Sequence, residues 1–254
     1  MANHLLRWLA VWFRNALAWR KSIKTALLGG LAEPLFNLFA LGYGLGHFVG
    51  EVDGITYIAF LTAGIISLSS MNAATFEGLY LAYTRMAVLK TWEGMMAAPL
   101  SIGDIVMGEL LWMASKSLIS ASLILLVASG FGLTADWHVL WVLPIAALSG
   151  FCFGSMALVM TSYAQSYDFF VYYITLGVTP MILLGGVFFP TDALPGIIRQ
   201  GSACLPLYHI VEMIRPLVSG RFAWTLLTHL IVPLAFTLIS TIFAIWRFKR
   251  RLLR

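Results

Sequence analysis

The chain has 254 residues, 60% hydrophobic and 11% charged, with a mean hydropathy of +0.89 and a net charge of +5. Soluble domains are roughly 45–50% apolar and about 25% charged, so a water-soluble core is excluded and this is an integral membrane protein. The positive balance is no nucleic-acid signal, because the basic residues collect on one side of the membrane, as orientation requires.

Residues 1–22 are not a signal peptide, since arginines interrupt the apolar run and no small-residue cleavage site follows. Arg7, Arg14 and Lys21 recur every seven residues and stack on one helix face. Leu5, Trp8, Leu9, Trp12, Phe13, Ala16 and Trp19 gather on the other, with Val11 and Leu17 intruding on the polar side. The pattern predicts an amphipathic helix lying flat on an anionic cytoplasmic surface.

From Lys24 the runs are apolar and long, and about 20 such residues cross the hydrocarbon. The reading is an all-α fold with six transmembrane helices near 25–47, 56–80, 105–132, 139–163, 169–189 and 225–246. Twelve basic residues then fall on one face, in the N-terminal segment, at Arg85 and Lys90, and in the tail from Arg247 to Arg254. Only Arg199, Arg215 and Arg221 fall on the other, and Lys116 is left within a span. Both termini are therefore expected in the cytoplasm. The inner loop at 161–168 has no Lys or Arg to anchor it.

Between the second and third spans, residues 85–98 read as a short amphipathic helix. Val88, Leu89, Trp92, Met95 and Met96 share one arc; Lys90, Thr91, Glu93 and Gly94 share the other. Pro99 ends it, and Ser101 with Asp104 has capping-pair spacing for the next helix. Such a helix, pinned between two spans, either passes a push from the cytoplasm to both or only rests on headgroups.

Several spans carry residues that an anchor does not need. Glu33-Pro34 lies in the first, before Gly42, Gly44 and Gly46. Glu77 lies near the inner end of the second, Lys116 about two turns into the third, and Pro233 in the sixth. Glu109 and Lys116 share a face and are expected to pair with each other or with a neighbouring chain; the alternative is that these charges snorkel to the interface.

After the fifth span, residues 190–216 are punctuated by Pro190, Pro195, Pro206 and Pro216. The apolar pieces between the prolines are too short to cross. They read as an extracytoplasmic re-entrant hairpin, a lid or outer funnel, with Phe188, Phe189 and Arg215 at its edges. The chain has no HExxH, no P-loop and no partner for Ser155, and its five histidines are scattered. Cys152 and Cys204 have neither metal nor redox spacing and are too differently placed to bridge. No metal site and no enzymatic activity are expected.

These pieces resemble the ABC-2 type permeases. Gly185-Gly186-Val187-Phe188-Phe189-Pro190, then Leu194-Pro195, Leu205-Pro206-Leu207 and Glu212 to Arg215, are similar to that family's outer signature. AATFEGLYLAYTRM (73–86), KTWEGMM (90–96), LSIGDIVMGEL (100–110) and IRPL (214–217) look most like the NodJ-type branch of nodulation-factor exporters. The similarity covers nearly the whole chain. It implies a permease in the bacterial inner membrane, present as a homodimer with two copies of a separate cytoplasmic ABC ATPase. ATP and Mg would sit on that partner, with no cofactor in this chain. Family substrates are amphiphiles such as lipo-oligosaccharides, lipid-linked glycans, lipids and hydrophobic drugs.

The resemblance puts ATPase coupling on Arg85, Met86, Leu89, Lys90, Trp92, Glu93 and Met96, with parts of the N-terminal helix (Arg7, Trp8, Trp12, Arg14, Lys21) joining in. Tyrosines, with Tyr167, Tyr172 and Tyr173 foremost and Tyr80, Tyr83 and Tyr163 beside them, are candidates to line a path for a sugar head; they equally suit membrane interfaces. The competing functions are an ion-coupled secondary transporter working through Glu33, Glu77 or Lys116, and an assembly factor without flux.

Overall fold

The computed structural model describes residues 7–52, 54–220 and 226–253. Residues 1–6, Asp53, Arg221, residue 225 at the start of the sixth expected span, and Arg254 lie outside them. Helix α1 (Arg7–Arg20) leads into α2 (Ile23–Gly44), and a two-residue hairpin pairs Glu51 with Thr56 before α3. Helix α3 runs through Tyr57–Val88, then come the short α4 (Thr91–Ala97) and the long α5 (Ile102–Gly130). Next are α6 (Val142–Tyr163), α7 (Phe169–Leu184), α8 (Gly196–Ser202), α9 (Pro206–Val218) and α10 (Ile231–Leu252).

By length and composition five stretches can cross a membrane: Ile23–Val49, Tyr57–Val88, Ile102–Gly130, Trp137–Tyr163 and Leu226–Leu252. Helix α7 is apolar but shorter, and it stops at Leu184 rather than 189. Beyond it, Gly186 takes a positive φ of 76° and the chain turns.

Helix α3 is the axis of the bundle. Of its most apolar window 78% is buried, against 11% for the first crossing helix and 6% for the last, which leaves those two facing outward. Helices α5, α6 and α9 pack around it. With lipid as apolar as the helices themselves, contact depends on small residues and hydroxyls. Ser117 Oγ donates to Ser70 O (2.6 Å), Ser70 Oγ to Ser149 Oγ (2.9 Å), and Ser69 meets Ser120 (2.6 Å).

Helix α1 does not rest on lipid alone. It packs along α5, and Val11, which the wheel had placed as a blemish on the polar face, is fully buried there. The cause is Gly108, where a Cβ would lie 2.5 Å from that of Val11. Trp12 Nε1 donates to Ser115 Oγ (2.9 Å), while Phe13 and Leu17 face outward. Ser101 caps α5: its hydroxyl accepts from Asp104 N–H, and the Asp104 carboxylate accepts from Ser101 N–H (2.9 Å).

Candidate functional site

One end of the bundle gathers α1, α4, the 161–168 loop and the end of α10. Arg7 donates to Pro99 O (2.7 Å), Tyr83 Oη to Gln165 O (2.6 Å), and Arg251 to the carbonyls of Thr161 and Ser162 (3.0 Å each). The loop lacking basic residues of its own is thus held by one from the tail.

At this end α3 contains two π turns, Glu77–Leu81 and Thr84–Val88. In an ordinary helix Glu77 and Arg85 would stand about 80° apart. Here they meet, with Arg85 Nη1 donating to Glu77 Oε1 at 2.9 Å. The same guanidinium forks onto Glu109 of α5, Nε to Oε1 at 3.0 Å and Nη2 to Oε2 at 2.5 Å. Trp112 Nε1 donates to Glu77 (2.9 Å) and Trp92 Nε1 to Glu109 (3.3 Å). Both acids are buried, so neither snorkels, and Glu109 pairs with Arg85 rather than with Lys116. The geometry is bidentate and hydrogen-bonded throughout, the condition for charges to be held in a low dielectric. Arg14 of α1 stands beside the cluster, and burial, with Arg85's charge, draws its pKa below the usual guanidinium range.

The surface expected to be gripped is therefore rearranged. The stretch is not one helix over 85–98: Arg85 and Met86 end α3, Lys90 takes a left-handed φ of 49°, and α4 restarts at Thr91. That reversal folds Trp92 inward, where it is fully buried against Glu109 and Phe248. Arg85 is a mostly covered ion and Met86 a core residue, while Met96 is half-buried. Leu89, Lys90 and Glu93 stay outside, with Val88 beside them and Lys90 Nζ 3.9 Å from Glu93. Trp8 of α1 is partly exposed, and Lys21, in the turn just after that helix, is exposed.

The corner expected on the outer side is fixed rather than loose. Arg215 of α9 donates to Gly186 O (2.5 Å), pairs with Glu212 and stacks 4.0 Å over the Phe60 ring. Tyr57 Oη donates to Phe188 O (3.1 Å). Val187 O presses where Gly64 has no side chain, since a Cβ there would lie 2.2 Å away. Pro190 opens a short turn, Pro195 precedes α8 and Pro206 starts α9. Nine residues of α9 are buried, so it is a packed element and not a lid; α8 is what faces outward, with Phe189 at its edge.

The tyrosines do not assemble into one lining. Tyr167 stacks on Tyr80 (6.2 Å between centroids) and meets Tyr83 edge-on, its hydroxyl 2.7 Å from Thr84. Tyr172 points outward, and Tyr173 is half-buried with its hydroxyl unpartnered. Lys116 lies over the Trp19 ring at 4.9 Å. Two of the scattered histidines meet, His209 Nδ1 standing 2.9 Å from His229 Nδ1, a contact no sequence spacing signals. Both cysteines are free.

A bundle of membrane-length helices, with a short helix at one end locked onto a buried charge cluster, has the build of a transporter's membrane part. Residues 7–218 match the ABC-2 type transporter family, and the chain belongs to it. It is 45% identical over 254 residues to Nodulation protein J of Bradyrhizobium diazoefficiens, all of this chain and 97% of that one. With Nodulation protein J of Sinorhizobium fredii identity is 44%, over 97% of this chain and 94% of the relative. With that of Rhizobium meliloti it is 46%, over 84% and 81%. The chain is thus a multi-pass membrane protein of the ABC transporter class.

Proposed function

We propose that this chain is the permease half of an ATP-driven exporter, moving an amphiphile out of the cytoplasm or the inner leaflet of a bacterial inner membrane. It works as a homodimer with two copies of a cytoplasmic ABC ATPase, which carries the ATP and Mg, and it catalyses no reaction itself. Both termini face that ATPase. Lipo-oligosaccharides and other lipid-linked glycans are the favoured cargo, in keeping with its NodJ-type relatives.

The observation that carries this reading is the exposed patch Leu89, Lys90 and Glu93 standing on the buried Trp92. A partner gripping that patch pulls on α5 through Glu109, on α3 through Arg85 and on α10 through Phe248. ATP-dependent closure of the ATPase pair then shifts the permease between its conformations by the difference in grip. Glu77 is committed to Arg85 and Trp112, which argues against its serving as an ion-coupling site.

Affinity-tagged chain purified from native membranes is expected to bring down an ATPase subunit whose turnover rises when the two are reconstituted. Purification of the chain alone, with vesicle transport that follows a proton gradient and ignores ATP, overturns the proposal.

A further inference from the structure

A cavity of about 390 Å³ lies between α2, α3 and α5, within the size range of ligand pockets. Three polar residues that line it sit at the middle of their helices: Glu33 in Ile23–Gly44, Asn72 in Tyr57–Val88 and Lys116 in Ile102–Gly130. Asn37 joins them one turn on from Glu33. None of these four side chains makes a hydrogen bond or ion pair with another described residue. Trp19, whose ring takes the Lys116 ammonium, also lines the cavity, and its buried Nε1 has no partner.

Polar groups at mid-helix in a membrane bundle are costly unless they meet a polar occupant. Amides, a carboxylate and an ammonium from three separate helices converge on one space, so the occupant offers both acceptors and donors. Its charge follows from what is already neutralised. Glu77 also lines the cavity but is held by Arg85 and Trp112, and Glu33 is exposed. Of the two charges left over, that of Lys116 is the less exposed and the one set deeper in the cavity wall. The remaining wall is apolar, with Leu27, Ile119 and Leu123, and the helices that form it are of membrane length.

We propose that this cavity binds the head of an anionic, hydroxyl-bearing amphiphile. A phosphate or carboxylate oxygen accepts from Lys116, and the hydroxyls bond to Asn37, Asn72 and Glu33. A bilayer lipid and a transported glycolipid both present this chemistry, and only the second source rests on the exporter reading.

The test is native mass spectrometry of the full chain released from nanodiscs of equal parts phosphatidylglycerol and phosphatidylcholine. Wild type retains phosphatidylglycerol selectively; Lys116→Gln lowers that retention about tenfold, the weight of one charge-assisted hydrogen bond, and Lys116→Arg keeps most of it. Should Lys116→Gln fail to fold, Asn72→Leu replaces it, read by quenching of Trp19 emission with brominated phosphatidylglycerol against a Trp19→Phe blank. Equal retention of the two lipids, or retention unchanged by the substitutions, overturns the proposal. Lost retention with unaltered ATP turnover of the assembled complex assigns the site to a bilayer lipid; loss of both assigns it to the transport path.

Discussion

Trp92 meets Phe248 edge-on, with ring centroids 4.9 Å apart and planes at 64°, so the segment after α3 is fastened to the last helix as well as to α5. An indole in this position both fills space and hydrogen-bonds Glu109, and the two roles separate by substitution. Trp92→Ala empties a fully buried site and is expected to cost about 3–5 kcal/mol, read as a lower melting temperature in detergent. Trp92→Phe keeps most of the packing but loses the bond to Glu109. It should melt within a few degrees of wild type yet weaken stimulation of the partner ATPase.

Arg85 holds two buried carboxylates, so its removal strands both. Arg85→Ala is expected to destabilise the chain by about 3–5 kcal/mol. Arg85→Lys should recover only part of this, because an ammonium cannot fork onto Glu109 while reaching Glu77. The triple variant Glu77→Gln, Arg85→Met, Glu109→Gln removes the unpaired charge and should regain most of the stability. Thermal melts of the three proteins decide the matter; a triple variant no more stable than Arg85→Ala would mean that packing, not charge, holds this region.

Lys90 is the non-glycine residue with positive φ among those described. A left-handed conformation costs an L-residue roughly 1–2 kcal/mol, so Lys90→Gly should raise stability by about 1 kcal/mol. Lys90 and Glu93 are largely exposed and their pair contributes little. Alanine at both should leave the melting temperature unchanged and weaken ATPase capture, measured by pull-down.

At the opposite end, Gly64→Val sets a side chain where Val187 O now lies. The 186–190 turn must move, at about 1–3 kcal/mol. Transport into or out of vesicles is expected to fall while ATPase capture persists. Capture lost together with transport would show that this corner serves assembly instead.

Much of this architecture is legible in the sequence because it follows from short-range rules. The apolar runs, the Ser101–Asp104 cap and the prolines that open α8 and α9 each depend on a few neighbouring residues. What stayed hidden depends on partners distant in the chain or on unusual turns. A lysine gives no hint that it will adopt the left-handed turn that sends Trp92 inward. Val11 looks misplaced until Gly108 is seen opposite. The Glu77–Arg85 pair breaks ordinary helical spacing and forms only because α3 contains two π turns. Residue pattern placed Leu89, Lys90 and Glu93 in a short amphipathic segment between two spans, but not which of their neighbours are buried anchors.

Those π turns make the register of α3 adjustable. A one-residue deletion between Glu77 and Val88 could be absorbed by rewinding one of them to ordinary pitch, without breaking the helix. Everything downstream would then keep its facing, because the turn gives up the one residue it holds beyond ordinary pitch, and Arg85 would still reach its two carboxylates. Sequences that differ by one residue here would fold alike and stay geared alike.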